Sequence, residues 1–321
     1  MDAYLLPTGR TIAPFDRPVG EMKIHSGTLA AAQQHVLEKL GCRVRRIASI
    51  AEVERFPCLL IDDDLFFTHH AAKGFLRAAR RNAASSAASQ PLQAALEATE
   101  LTERFSPVLQ GSTALQGPTA QQSPAMQSAG GKSLRTYPLY YLRSADEAAQ
   151  LPAAIPCPIP YRFTRVTARA NRYFEESGRF VVPVSPVFMI PIRHWAALLP
   201  ANLLGMASRV LRQAAEHPGA TAALLPKLPW RSGSLRPSRW LAKSYFAGQG
   251  CRVAPSAHVE AAILGRRVKI APGAVIRNCV IGDGVQIGAN AVVEGCVLGD
   301  RTVINGANIV RTVVTEEDVS I

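Results

Sequence analysis

The sequence predicts an α/β domain with a largely parallel sheet, followed by a parallel β-helix. Three observations carry that prediction. The first is a repeat near the C-terminus. Leu264-Gly265, Ile281-Gly282 and Leu298-Gly299 are aliphatic-Gly pairs at a constant spacing of 17 (281 − 264 and 298 − 281). Ile270, Ile276, Ile287, Val293 and Ile304 fall between them, so the anchors advance in steps of six, six and five per cycle. A fixed period marks a solenoid, whose units bury their apolar faces on one another. A step of six matches neither a helix nor an unbroken strand, and fits a short strand plus a corner, three times per coil. The second observation is the strand–helix–strand order over positions 3–81. The third is charge. The 321-residue chain carries +12 overall, yet residues 251–321 hold seven basic and seven acidic residues and are neutral. The excess lies entirely in residues 1–250, which the sequence sets apart as one domain, with 251–321 as the other.

Taken in order, Ala3-Tyr4-Leu5-Leu6 reads as a strand entering a loop at Pro7-Thr8-Gly9. Thr28 to Leu40 reads as a helix, capped by Thr28, apolar at Leu29, Val36, Leu37 and Leu40, and stopped by Gly41. Val44–Ile47 and Cys58–Ile61 are strands, and the second runs into Asp62-Asp63-Asp64. A helix covers Ala71 to Arg81. Residues 82–134 are rich in Ala, Ser, Gln, Gly and Pro and poor in aromatics. Such a composition predicts a flexible insertion, with a helix near Leu92–Leu101. Order returns at Tyr137-Pro138-Leu139-Tyr140-Tyr141-Leu142, Phe180-Val181-Val182 and Val187-Phe188-Met189-Ile190 read as buried strands, and Ile192 to Gln213 reads as mostly helical, interrupted at Pro200. A basic connector precedes the solenoid, which is expected from about Cys251.

Within each hexad the aliphatic residue fills the coil, and the small residue four later (Val268, Ala274, Val285, Ala291) shares the interior. Gly and Asn suit left-handed corners. Cys279 and Cys296 share the solenoid spacing and should stack inward as small apolar side chains. The six cysteines form no CxxC pair, which predicts reduced thiols. Met1-Asp2-Ala3-Tyr4 opens without a basic leader and no apolar run reaches the length of a membrane span, so a cytoplasmic protein is expected. Basic clusters such as Arg43/Arg45/Arg46 and Arg77/Arg80/Arg81 come without any nucleic-acid-binding motif, and no nucleic-acid partner is expected.

The hexads over residues 253–315 resemble the left-handed parallel β-helices of hexapeptide-repeat acyltransferases and of sugar-1-phosphate nucleotidyltransferase C-terminal domains. Residues 3–81 carry a second likeness. Leu5-Leu6-Pro7-Thr8-Gly9-Arg10 is followed by Pro14-Phe15-Asp16-Arg17-Pro18-Val19, then Gly27-Thr28-Leu29, a helix and Gly41. This order resembles divergent sugar nucleotidyltransferases related to the bifunctional glucosamine-1-phosphate uridylyltransferase/acetyltransferase. The resemblance implies transfer of a nucleotidyl group from an NTP to a sugar phosphate, with a nucleotide and a sugar phosphate as partners. It implies that Gly9 and Arg10 approach nucleotide phosphates, that Arg17 and Lys23 act on the sugar phosphate, and that Asp62 or Asp63 holds Mg²⁺. A backbone loop cradles phosphate, cations neutralise it and Mg²⁺ bridges it in such chemistry. The likeness is incomplete: the loop keeps only Gly9-Arg10-Thr11, and Pro18 is followed by Val19 where a Lys is customary. A domain that binds a nucleotide-sugar without turnover, attached to a β-helix scaffold, is the alternative. A third reading is acyl transfer by the solenoid, for which His258 is its sole His. Solenoids of this type associate through flat faces, so a homo-oligomer is expected.

Overall fold

The structure is a computed structural model, which describes residues 1–25, 27–85, 90–97, 126–129, 132–160, 164–169, 179–202 and 245–321. The chain divides into two units: Met1–Tyr161 with Val187–Ala201, and Arg162–Pro186 with Asn202–Ile321.

In the first unit, β1 (Asp2–Leu6) leads into two short ribbons, β2 (Thr11–Ile12) with β3 (Arg17–Pro18) and β4 (Lys23–Ile24) with β5 (Gly27–Thr28). Helix α1 (Leu29–Lys39) follows. Thr28 caps it as expected, its hydroxyl accepting from the Ala31 amide at 3.2 Å, and Gly41 ends it with φ +76°. Then come β6 (Arg43–Arg46), β7 (Cys58–Asp62), β8 (Leu65–Phe67) and α2 (His69–Ser85). Next are β9 (Leu92–Glu97), β10 (Met126–Ala129), β11 (Lys132–Leu142), α3 (Ala145–Ala149) and β12 (Ile155–Pro158). The sheet order is β12-β9-β11-β7-β1-β6, with β10 paired to β11. β6, β1 and β7 run parallel, as do β9 and β12, and β11 runs antiparallel between β7 and β9. The largely parallel sheet is therefore present, with one reversed strand along its main path. Register in β11 shifts between Thr136 and Tyr140, around Pro138, whose missing N–H cannot serve a ladder.

One sheet face packs Ala3, Leu5, Leu59 and Ile61 against Val36 and Leu37 of α1 and Phe75 and Ala79 of α2. The other gathers Tyr4, Ile47, Cys58, Leu60 and Leu142. The alternation along β1 and β7 explains both cores, since neighbouring strand residues point to opposite faces.

The structure corrects three expectations. The helix expected near Leu92–Leu101 is strand β9 over residues 92–97, with Leu92, Ala94, Ala95 and Leu96 buried, because small residues fill an interior strand as well as a helix. The predicted flexible insertion at 82–134 thus contains sheet strands; its residues 86–89, 98–125 and 130–131 lie outside the described residues. The helix expected from Ile192 begins only at Leu198, after a 3-10 turn over Trp195–Ala197, and Pro200 sits in its first turn, where proline is tolerated. Its expected continuation beyond residue 202 is likewise outside the described residues. Strand β13 (Thr164–Arg169) pairs antiparallel with β14 (Arg179–Val184) in the second unit, and β15 (Met189–Pro191) pairs with β8 in the first. No described helix is long and apolar enough to cross a membrane.

Residues 245–321 of the second unit form a left-handed β-helix of three four-stranded parallel sheets. Among the described residues its first strand starts at Tyr245, and strand residues pair with their counterparts one coil on, as in Ile263↔Val280 and Val280↔Val297. Leu264, Ile270, Ile276, Ile281, Ile287, Val293, Leu298 and Ile304 fill the interior with Val268, Ala274, Val285 and Ala291, as the repeat predicted. Cys279 and Cys296 are fully buried among them, and burial pushes the Cys279 thiol up. All six cysteines are free thiols.

Gly and Asn take left-handed corners as expected, and other residue types share those corners. Left-handed φ falls at Gly284, Arg301 and Asp318, at Gly273, Asn290 and Ala307, and at Asn278, Gly295 and Thr312. Gly248, Gly265, Gly282 and Gly299 lie outside that set and meet a different demand. A Cβ on Gly265 would sit 2.7 Å from the Gly282 carbonyl carbon, and one on Gly282 would sit 2.8 Å from the Asp300 amide nitrogen. They are glycine because the next coil's backbone occupies the space. On one face Glu260, Arg277, Glu294 and Arg311 form a ladder of alternating charge, with contacts of 3.3, 3.1 and 2.9 Å.

Candidate functional site

Polar side chains of the first unit converge at the C-terminal ends of β1 and β7, where open parallel sheets usually bind ligands. The Asp63 amide donates to the Leu6 carbonyl at 3.0 Å, and the Thr8 amide and hydroxyl both donate to Asp63 Oδ1, at 2.8 and 2.7 Å. These bonds hold the loop after β1 against the turn after β7. Gly9 follows with φ +66° and open space around its Cα, a conformation that favours glycine. Beneath the turn, Gln33 of α1 is buried and donates to the carbonyls of Asp62, Asp63 and Leu65 at 3.2, 3.2 and 2.8 Å.

Asp64 is the most enclosed of the three acids, 1% exposed. Its Oδ2 lies 3.5 Å from Arg10 Nε and 3.5 Å from Arg193 Nε. Burial raises its pKa, and Arg193 and then Arg10 oppose that rise. Arg193 arrives through backbone geometry: β15 pairs with β8, and the Ile192 amide donates to the Asp64 carbonyl at 2.7 Å. Asp62 is half-buried, and burial, then Asp64 and Asp63, push its carboxyl up to about 7, with Arg193 and Arg10 opposing. Tyr140, which accepts from Gln93 Nε2 at 3.2 Å, is pushed up to about 12 by burial and by Asp62.

Of the residues singled out from the sequence, Gly9, Arg10, Asp62 and Asp63 come together here. Arg17 lies on the exposed β3 strand and Lys23 on β4, and the cations that act on the Asp62 and Asp64 carboxyls are Arg193 and Arg10. Gln33, Tyr140 and Arg193 are additions that sequence reasoning missed, and Asp64, the third acid of the run singled out there, takes a place of its own between two arginines. Among the described residues no group of three His, Cys, Asp or Glu side chains has a metal-site arrangement. His69 and His70 stack edge-on with ring centroids 5.9 Å apart at the start of α2. His258 is exposed on the first residue of its strand, beside Val275 of the next coil.

Comparison with known proteins bears on the C-terminal part of the chain. Residues 238–319 match the family model described as "GlmU-like, C-terminal hexapeptide". The C-terminal β-helix is related to that family. No curated protein matches the chain.

Proposed function

We propose that the protein binds a nucleotide-sugar through a nucleotidyltransferase-like N-terminal unit that has lost turnover, and that its β-helix serves as an assembly scaffold. The observation that carries this reading is the use made of the three acids. Asp63 Oδ1 is taken up by two hydrogen bonds from Thr8, and Asp64 is buried behind two arginines. The loop thus keeps an anion-receiving shape, with Gly9 exposed and Arg10 beside it, while two of the three carboxylates serve the protein itself. Anion recognition needs only such a loop and its cations.

One observation favours the active-enzyme reading, in which a nucleotidyl group passes from an NTP to a sugar phosphate. Asp62 is crowded by Asp64 and Asp63, and a divalent cation would relieve that crowding. Asp62 would then hold Mg²⁺, with Asp63 beside it, and the ion would supply charge stabilisation to bound phosphates. Arg17 and Lys23 would take the sugar phosphate. The two readings separate in one assay. Incubating the full chain with nucleotide-sugars, pyrophosphate and Mg²⁺ should yield no NTP; formation of NTP that Asp62→Asn abolishes would replace the binding reading by the enzymatic one.

Acyl transfer by the solenoid rests on His258, an exposed residue; an acyl-CoA-dependent activity lost in His258→Ala would establish it. A homo-oligomer, dimer or trimer, joined through the flat faces of the solenoid belongs to this reading.

A further inference from the structure

We infer that Arg10 and Arg193 form a two-armed clamp for a phosphoryl group, held in place by the buried carboxylate of Asp64. The inference deepens the nucleotide-sugar reading and rests on it for the larger ligand, but the clamp is defined by its own geometry. Two guanidinium groups close to each other repel, and they share one place here because a carboxylate that is 1% exposed lies between them. Each contact runs from Nε to Asp64 Oδ2 at 3.5 Å, longer than a charge-assisted hydrogen bond. Asp64 neutralises and positions the arginines. Both stay accessible, Arg10 at 44% and Arg193 at 24% side-chain exposure.

The clamp has a fitting neighbour. Arg10 directly follows Gly9, whose left-handed backbone leaves open space, and the loop is fixed by the Thr8–Asp63 bonds. Arg193 is fixed independently by the Ile192–Asp64 backbone bond. One arm thus comes from the end of β1 and the other from the strand that pairs with β8. Guanidinium forks suit the oxygens of a phosphate monoester or a diphosphate better than a point charge would. Asp64 is a positioning residue in this account, and the arginines make the contact.

The test is calorimetric titration of the full chain with inorganic pyrophosphate at low salt. Wild type should bind, and Arg193→Gln and Arg10→Gln should each weaken binding by about tenfold or more. Arg252→Gln, at an exposed position of the β-helix, should change it by less than about twofold. Arg193→Lys keeps the charge beside Asp64 and so guards against loss of fold; it should retain the wild-type melting temperature and still bind several-fold more weakly, since the fork is gone. Absence of pyrophosphate binding by wild type, or equal binding by Arg193→Gln and wild type, overturns the clamp. If pyrophosphate binds in an Arg193-dependent way but no nucleotide-sugar binds, the clamp stands and the proposed function falls. If a nucleotide-sugar binds equally well to Arg193→Gln, the clamp falls and the proposed function stands.

Discussion

Asp62 concentrates the electrostatics of the site in one carboxyl. Burial, then Asp64 and Asp63, hold it up to about 7, far above the usual range near 4. The folded state therefore keeps a proton that the unfolded chain has released. Stability contributed by that proton is full below about pH 4 and is lost as pH rises through about 7. Replacing Asp62 by Asn should flatten this part of the profile and raise stability at pH 8 by roughly 1–3 kcal/mol, measured as melting temperature against pH. An unchanged slope would show that the carboxyl ionises normally. The acidic run Asp62–Asp64 was legible in the sequence because carboxylates ending an apolar strand are a local signal. Which carboxyl does what was not. Thr8 claims Asp63, and Arg193 reaches Asp64, through pairing of segments far apart in the chain. Gln33 stayed hidden for a related reason: its side chain satisfies carbonyls of another element, which a helix pattern does not encode.

At the scale of an element, the solenoid coil follows from its repeat more completely than any other part. Period, anchors and inward cysteines could be read directly, because each coil packs on a near-copy of itself. The glycine column was visible, but its reason was not; close approach of the next coil's backbone is a three-dimensional fact. It yields two opposite predictions. Gly282→Ala places a methyl against the backbone of Asp300 and Gly299, which cannot rotate away, and should cost about 1–3 kcal/mol in the solenoid's thermal unfolding. Thr312 is β-branched and held at φ +55°, so Thr312→Gly should stabilise the same transition by about 1 kcal/mol. Equal melting of both variants and wild type would refute this assignment of the corners. Strand β9 illustrates the opposite case. Its Leu-Gln-Ala-Ala-Leu-Glu sequence carries little intrinsic β preference, and pairing with β11 and β12 decides its conformation.

Across the whole molecule, the +12 charge lies outside the solenoid, in the portion that carries the loop and its arginines. A surplus of that sign favours encounter with phosphorylated ligands and makes their binding salt-sensitive. The two-part architecture was legible because a neutral periodic segment contrasts with a basic aperiodic one. Activity was not, since a fold hosts many functions and the decisive contacts join distant residues. Size-exclusion chromatography with light scattering should give an assembly larger than the 34.5 kDa chain, and a monomer at all concentrations would remove the scaffold role. The most direct test of the central claim is a thermal-shift titration of the full chain with a panel of nucleotide-sugars. At a hundredfold excess over the dissociation constant, the right ligand should stabilise the fold by about 2.7 kcal/mol, an effect that a tenfold loss of affinity in Arg10→Gln should cut to about half. No shift with any nucleotide-sugar would contradict the account.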